Sequence, residues 1–246
     1  AGLVTSRIKL AECDTGGIGG TLAGNALSLA AMRGTGETIR FERDADPHRP
    51  IAVPARAVSD YLEVLGADGS YAPLFVKGVN IGAALPGRYP TEFPLEVAVY
   101  LEWLDLIAGL GANAVRVYTL LPPEFYQALA THNALAGSRK LWLIQGVWAE
   151  LPEDHDFSRA DFIAEFEGEL AAAIDAVHGD LVMPPRPGHA SGIYTTDVSS
   201  ALLALIVGRE WEPYAVSAFD AMHPEMKSWK GRYFTVENAT AMETRV

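Results

Sequence analysis

Glu210 sits in the stretch G-R-E-W-E-P, directly after an unbroken apolar run from Ala201 to Val207. A run of that length, bounded by a turn signal, suits a strand buried on both faces, as in a parallel sheet. It is too short to cross a membrane. A carboxyl group at the end of such a strand is placed for general acid–base work once burial or a neighbouring negative charge raises its pKa. Apolar Val207 and Trp211 are expected to supply those surroundings. The position also suits the start of the next helix, where a carboxylate favours the positive end of the dipole. Both readings stand at this point. Glu212, two residues on, is expected to face solvent. Glu150, just past an earlier apolar run, is a rival carboxylate.

Arg116 alternates with Val115 and Val117. A charge there is costly inside unless paired. Either it joins a network of carboxylates or its strand has one wet face. Asn80 ends another run, where it can bond a ligand hydroxyl or cap the turn. His189 lies in P-R-P-G-H-A-S-G, a loop setting in which a histidine is solvated or binds a ligand. His132, His178 and His223 are expected at the surface near helix ends. No H-E-x-x-H or other zinc spacing occurs, and no G-x-S-x-G elbow. The glycine-rich stretch Asp14–Gly24 lacks the Gly-Lys-Ser/Thr ending of a phosphate loop. No cofactor and no metal is expected.

The elements that must position these groups are legible from Phe75 onward. Strands are expected over Phe75–Val79, Ala114–Tyr118, Leu141–Trp148 and Ala201–Val207. Helices are expected over Leu95–Leu110, ended by Gly111, and from Pro122 and Pro123 to about Ala136. A longer helix is expected through Val177, capped by Asp156 or Ser158. Met183–Thr196 reads as a Pro/Gly-rich loop. This βα rhythm implies a parallel sheet with right-handed crossovers. Residues 1–71 read differently, as a β-rich or accessory segment with strands at Thr38–Arg43 and Tyr61–Leu65 and a turn at Gly66–Ser70.

The chain has 246 residues, of which 49% are hydrophobic and 20% charged, ordinary for a globular protein with a core. Its net charge of -12 argues against nucleic acid or an anionic membrane as a partner. A neutral substrate such as a sugar is compatible with it. A single cysteine, Cys13, excludes an internal disulfide and a cysteine-cluster metal site. No signal peptide or membrane-spanning segment is read, although the first residue is Ala, which fits a trimmed leader. The compartment stays open, with an extracellular or cell-envelope setting ahead of the cytoplasm. The oligomeric state is not legible.

Three motifs carry a resemblance. F-V-K-G-V-N (Phe75–Asn80), G-A-N-A-V-R-V-Y (Gly111–Tyr118) and G-R-E-W (Gly208–Trp211) resemble the first, second and fourth strands of retaining glycoside hydrolases with a (β/α)8 barrel. The likeness is nearest to the family 2 and family 5 barrels, with some to the β-1,3-glucanosyltransferases, and covers residues 72–246. It implies an α/β fold of TIM-barrel type and a carbohydrate substrate. It casts Glu210 as acid/base and Arg116 as the group that orients the catalytic carboxylates. Arg209 stands where the family has an asparagine that bonds the sugar 2-hydroxyl. A planar cationic donor can still bond hydroxyls.

Sugars stack their flat C–H faces on aromatic rings, which draws attention to Tyr118, Trp148, Tyr194 and Trp211. Filling the core is the alternative for each. With Asn80, Glu150 and Arg209, these are the expected substrate contacts. A barrel needs about 250 residues, and only 36 follow Glu210 (246 − 210). The expectation is therefore a first half-barrel, within a longer chain or completed by a partner. The nucleophile, expected on a seventh strand, has no candidate here. A carbohydrate-binding or scaffold protein with a barrel-like fold is the alternative function.

Overall fold

The structure, a computed structural model, describes residues 53–58, 61–82, 84–230 and 235–244. Asp14–Gly24 and the strand expected at Thr38–Arg43 lie outside the described residues. The first elements are three short antiparallel strands, β1 (Ala55–Val58), β2 (Tyr61–Leu65) and β3 (Tyr71–Leu74), in the order β1-β2-β3. Between β2 and β3 the expected turn forms, with Gly69 at φ +78. The Asp68 carboxylate there accepts from Ser70 N and Oγ at 3.0 and 2.7 Å.

The main body is a mixed α/β unit. β4 (Gly78–Ile81), α1 (Val97–Gly109), β5 (Ala114–Val117), α2 (Pro123–Leu135), β6 (Trp142–Val147) and α3 (Ala160–Val177) follow in turn. After them come β7 (Leu181–Met183), β8 (Gly192–Tyr194), β9 (Leu202–Val207) and α4 (Pro213–Met222), then a small hairpin, β10 (Ser228–Lys230) and β11 (Thr235–Glu237). The strands β4-β5-β6-β9 form one parallel sheet in that order, with the β7–β8 pair outside it. Four α-helices are present among the described residues. None is long and apolar enough to cross a membrane.

Apolar period and chain punctuation explain most of these elements. Gly111 ends α1 at φ +80, a conformation that costs glycine nothing. Pro123 opens α2 at a position where its missing N–H is no loss. Two starts differ from expectation. The first strand begins at Gly78, not Phe75, because a side chain occupies the backbone before it. Lys77 N donates to Asn113 Oδ1 at 2.8 Å, and Asn113 Nδ2 donates to the Phe75 carbonyl at 2.9 Å. Phe75 itself is 83% exposed. The long helix starts at Ala160 behind Arg159, which makes no side-chain cap. Asp156 instead accepts from Ser158 N and Oγ, at 2.9 and 2.5 Å, in the turn before it. Those bonds, foremost the one from the hydroxyl, hold its carboxyl below the usual range.

The sheet has two unlike faces. Val115, Val117 and Leu143 point into the main core with Tyr100, Leu104, Phe125 and Leu129 of α1 and α2. Val147 and Leu205 meet Leu170, Ala173 and Ile174 of α3 on that same side. Strand alternation sends Asn80, Ala114, Arg116, Trp142 and Ile144 to the opposite face. There Ala114, Trp142 and Leu203 pack with Ala55, Leu62, Val64 and Leu74 of β1–β3. The antiparallel sheet thus covers this face at the amino ends of β5, β6 and β9.

The stretch Met183–Thr196, expected as a loop, contains a strand. β7 and β8 form an antiparallel hairpin with the pairs Leu181↔Tyr194, Val182↔Ile193 and Met183↔Gly192. β7 packs on α3 and β8 on α2, so the hairpin bridges the two helices. An ion pair of 2.6 Å from Arg186 to Glu169 ties the hairpin loop to α3.

Candidate active site

The catalytic and sugar-contact candidates singled out from sequence lie at the carboxyl ends of β4, β5, β6 and β9, except Tyr194, which is in β8. Asn80 and Arg116 are direct neighbours across β4 and β5. Tyr118 and Trp148 follow the ends of β5 and β6, and Arg209, Glu210 and Trp211 follow β9. Two glycines shape this edge. A Cβ on Gly146 would stand 2.5 Å from the Tyr118 carbonyl oxygen and closer still to that of Val117, so only glycine lets β5 approach β6 there. Gly208, at φ +89, turns the chain out of β9 over the Trp211 ring.

That turn decides which side chain enters. Glu210 is exposed, not enclosed by Val207 and Trp211 as expected. Its neighbour Arg209 goes inward, with a side chain only 12% exposed. Arg209 Nε donates to the Ala149 carbonyl at 3.2 Å, and its two terminal nitrogens donate to the two oxygens of Glu212 at 3.3 Å each. Its guanidinium carbon lies 5.0 Å from the centre of the Trp148 ring. Glu212 is therefore half-buried and paired, not turned to solvent, and it is Glu212 that precedes Pro213 at the start of α4. Glu210 belongs to the loop and does not begin that helix.

Arg116 is half-buried with its guanidinium carbon 4.4 Å from the centre of the Tyr118 ring. Its Nε is enclosed and has no hydrogen-bond partner among the described residues. The expected carboxylate network around Arg116 is not formed among the described residues; an aromatic face takes its place. Asn80 is exposed, as is Glu150, whose Oε1 accepts from Trp148 Nε1 at 3.0 Å.

Two aromatic residues are corrected to core roles. Tyr194 is 2% exposed on the helix side of the sheet, its ring edge-on to Tyr126 at 5.5 Å. Its hydroxyl donates to the Leu121 carbonyl at 2.8 Å, and burial pushes its pKa up. Trp211 lies among Phe157, Phe162 and Phe166, with ring centres 5.1 to 6.4 Å away. The Tyr194 ring is closed to a ligand, and the Trp211 ring is half-buried against the phenylalanines. His132 is also corrected: it is 5% exposed, with Nδ1 2.7 Å from Asp105, and it ties α2 to α1. His223 is half-buried 3.1 Å from Asp156, while His178 and His189 are exposed as expected.

Gln145 is the residue that sequence reasoning missed. It is fully buried in β6, where it accepts from the Tyr126 hydroxyl at 2.8 Å and donates to the Thr119 and Gly146 carbonyls at 3.2 and 2.8 Å. It fastens the end of β6 to the loop that follows β5. Burial drives the Tyr126 pKa far above its usual value, so the hydroxyl stays a donor. A lone amide inside L-W-L-I-Q-G-V-W was the available signal, since a buried polar group needs partners. Tyr126→Phe leaves the Gln145 oxygen unpaired and is expected to lower stability by about 1–3 kcal/mol, read by chemical denaturation.

Fold and site together define a mixed α/β protein whose parallel strands deliver arginine, carboxylate and aromatic side chains to one edge. Among the described residues, no group of three or more His, Cys, Asp or Glu side chains is arranged to hold a metal ion. No family model matches the chain, and neither a curated protein nor a solved structure matches it.

Proposed function

We propose that the chain is a glycoside hydrolase-like protein that cleaves or transfers β-linked sugars with retention, and that its parallel sheet is the first half of a (β/α)8 barrel. The observation that carries this reading is the strand order. Four consecutive parallel strands lie side by side with helices on one face, and Arg116 and Glu210 follow that order to one edge. Active groups of such barrels stand at strand carboxyl ends. In this reading Glu210 gives a proton to the leaving oxygen and later takes one from water. A second carboxylate, about 5 Å away, attacks the anomeric carbon. Arg116 orients that carboxylate, and Asn80, Tyr118, Trp148, Glu150 and Arg209 contact the sugar.

A second reading is a carbohydrate-binding or scaffold protein. It is favoured by the exposure of Glu210, which leaves the carboxyl group outside the apolar enclosure expected of an acid/base. One panel decides between the two. The full chain is assayed for release of nitrophenol from aryl β-glycosides and for binding of laminaritetraose and cellotetraose. Turnover supports the enzyme, binding without turnover supports the binding protein, and neither result overturns both.

A further inference from the structure

We infer that Trp148 is the ring against which a neutral β-linked sugar packs, and that Arg209 is the residue that positions it. The inference rests on the carbohydrate reading above and adds the identity of the platform and of its brace. Trp148 and Arg209 lie just past the last register pair of adjacent strands, Val147↔Val207. The guanidinium over the indole is itself fixed on its remaining sides by the Ala149 carbonyl and the Glu212 carboxylate. The indole edge is fixed separately, through the bond from Nε1 to Glu150. The ring is thus held at one face and one edge while the residue is half-buried, not closed off.

That arrangement suits a stacking platform. A ring ordered before the ligand arrives spares the cost of ordering it on binding. A guanidinium holds an aromatic face by charge and by its plane, which an ammonium matches only in charge. The other tryptophan of this edge, Trp211, is half-buried with its ring packed among phenylalanines. Tyr118 offers a smaller ring that carries Arg116. In this role each Arg209 nitrogen already makes one bond, and two of its five N–H groups are left for a sugar hydroxyl.

Fluorine NMR of the fluorotryptophan-labelled full chain tests this, with the Trp148 line assigned through Trp148→Phe. Laminaritetraose or cellotetraose is expected to shift that line. Trp148→Ala is expected to weaken oligosaccharide binding by about tenfold or more. Arg209→Gln is expected to move or broaden the Trp148 line without ligand and to weaken binding by about tenfold. Arg209→Lys, which keeps the charge without the fork, falls between. Glu212→Gln loosens the brace from its far side and is expected to move the same line, which guards against an unfolded Arg209 variant. Binding undiminished in Trp148→Ala, or a Trp148 line unmoved by every brace variant, overturns the inference and leaves the carbohydrate reading intact. Failure of the unaltered chain to bind either oligosaccharide overturns both.

Discussion

Glu210→Gln is expected to reduce turnover of an aryl β-glycoside by roughly 10²–10⁴-fold, the usual contribution of one positioned acid or base. The amide keeps the size and the hydrogen-bonding reach of the acid but holds no transferable proton. The loss should depend on the leaving group. A nitrophenolate with strong electron withdrawal departs with little protonation, so the first step suffers less, while the water-activating step still lacks its base. A poor leaving group suffers in the first step as well. Because Glu210 is exposed and makes no packed contact of consequence, the same variant should unfold within about 0.5 kcal/mol of the parent. Turnover equal to that of the parent with poor and good leaving groups alike would remove Glu210 from the mechanism.

Gly146→Ala is expected to cost about 3 kcal/mol, the upper end for forcing a methyl group into packed structure. Its new Cβ meets backbone carbonyls of β5, not the movable end of a side chain, so β5 and β6 must part. For a chain of this length the melting temperature should fall by roughly 6–12 °C. Gly168→Ala is the internal control. Gly168 lies within α3 with nothing inside 4 Å of its added Cβ. There the helix preference of alanine should raise stability by about 0.5–1 kcal/mol. Equal effects from the two substitutions would show that the close approach of β5 to β6 carries no energetic weight. The Gly146 variant should also disturb the carboxyl edge, because Tyr118 follows directly on β5.

Strand and helix content from Phe75 to Val207 is largely legible in apolar spacing, and the four parallel strands are legible to within a few residues of their true ends, whereas the extent of α4 and the β10–β11 pair are not. The displaced start at Gly78 traces to Asn113, a contact 36 residues away that no local pattern carries. The β7–β8 hairpin escaped because each strand is three residues long and prolines and glycines fill the link. At the site, the edge on which the chemistry would lie was legible, but which side chain turns inward was not. Simple alternation after β9 fails at Gly208, whose left-handed conformation rotates everything beyond it. That single rotation brings Arg209 and Trp211 into cover and leaves Glu210 in water. The Arg209–Glu212 pair was available as an i,i+3 spacing of opposite charges. Burial of His132 was not, because its Asp105 partner lies on the preceding helix, 27 positions earlier.

The cover that β1–β3 lay over Ala114, Trp142 and Leu203 has a bearing on what this sheet can offer a solute. Those three side chains are out of reach, and the polar groups the same face still presents stand further along the strands, at Asn80 and Arg116.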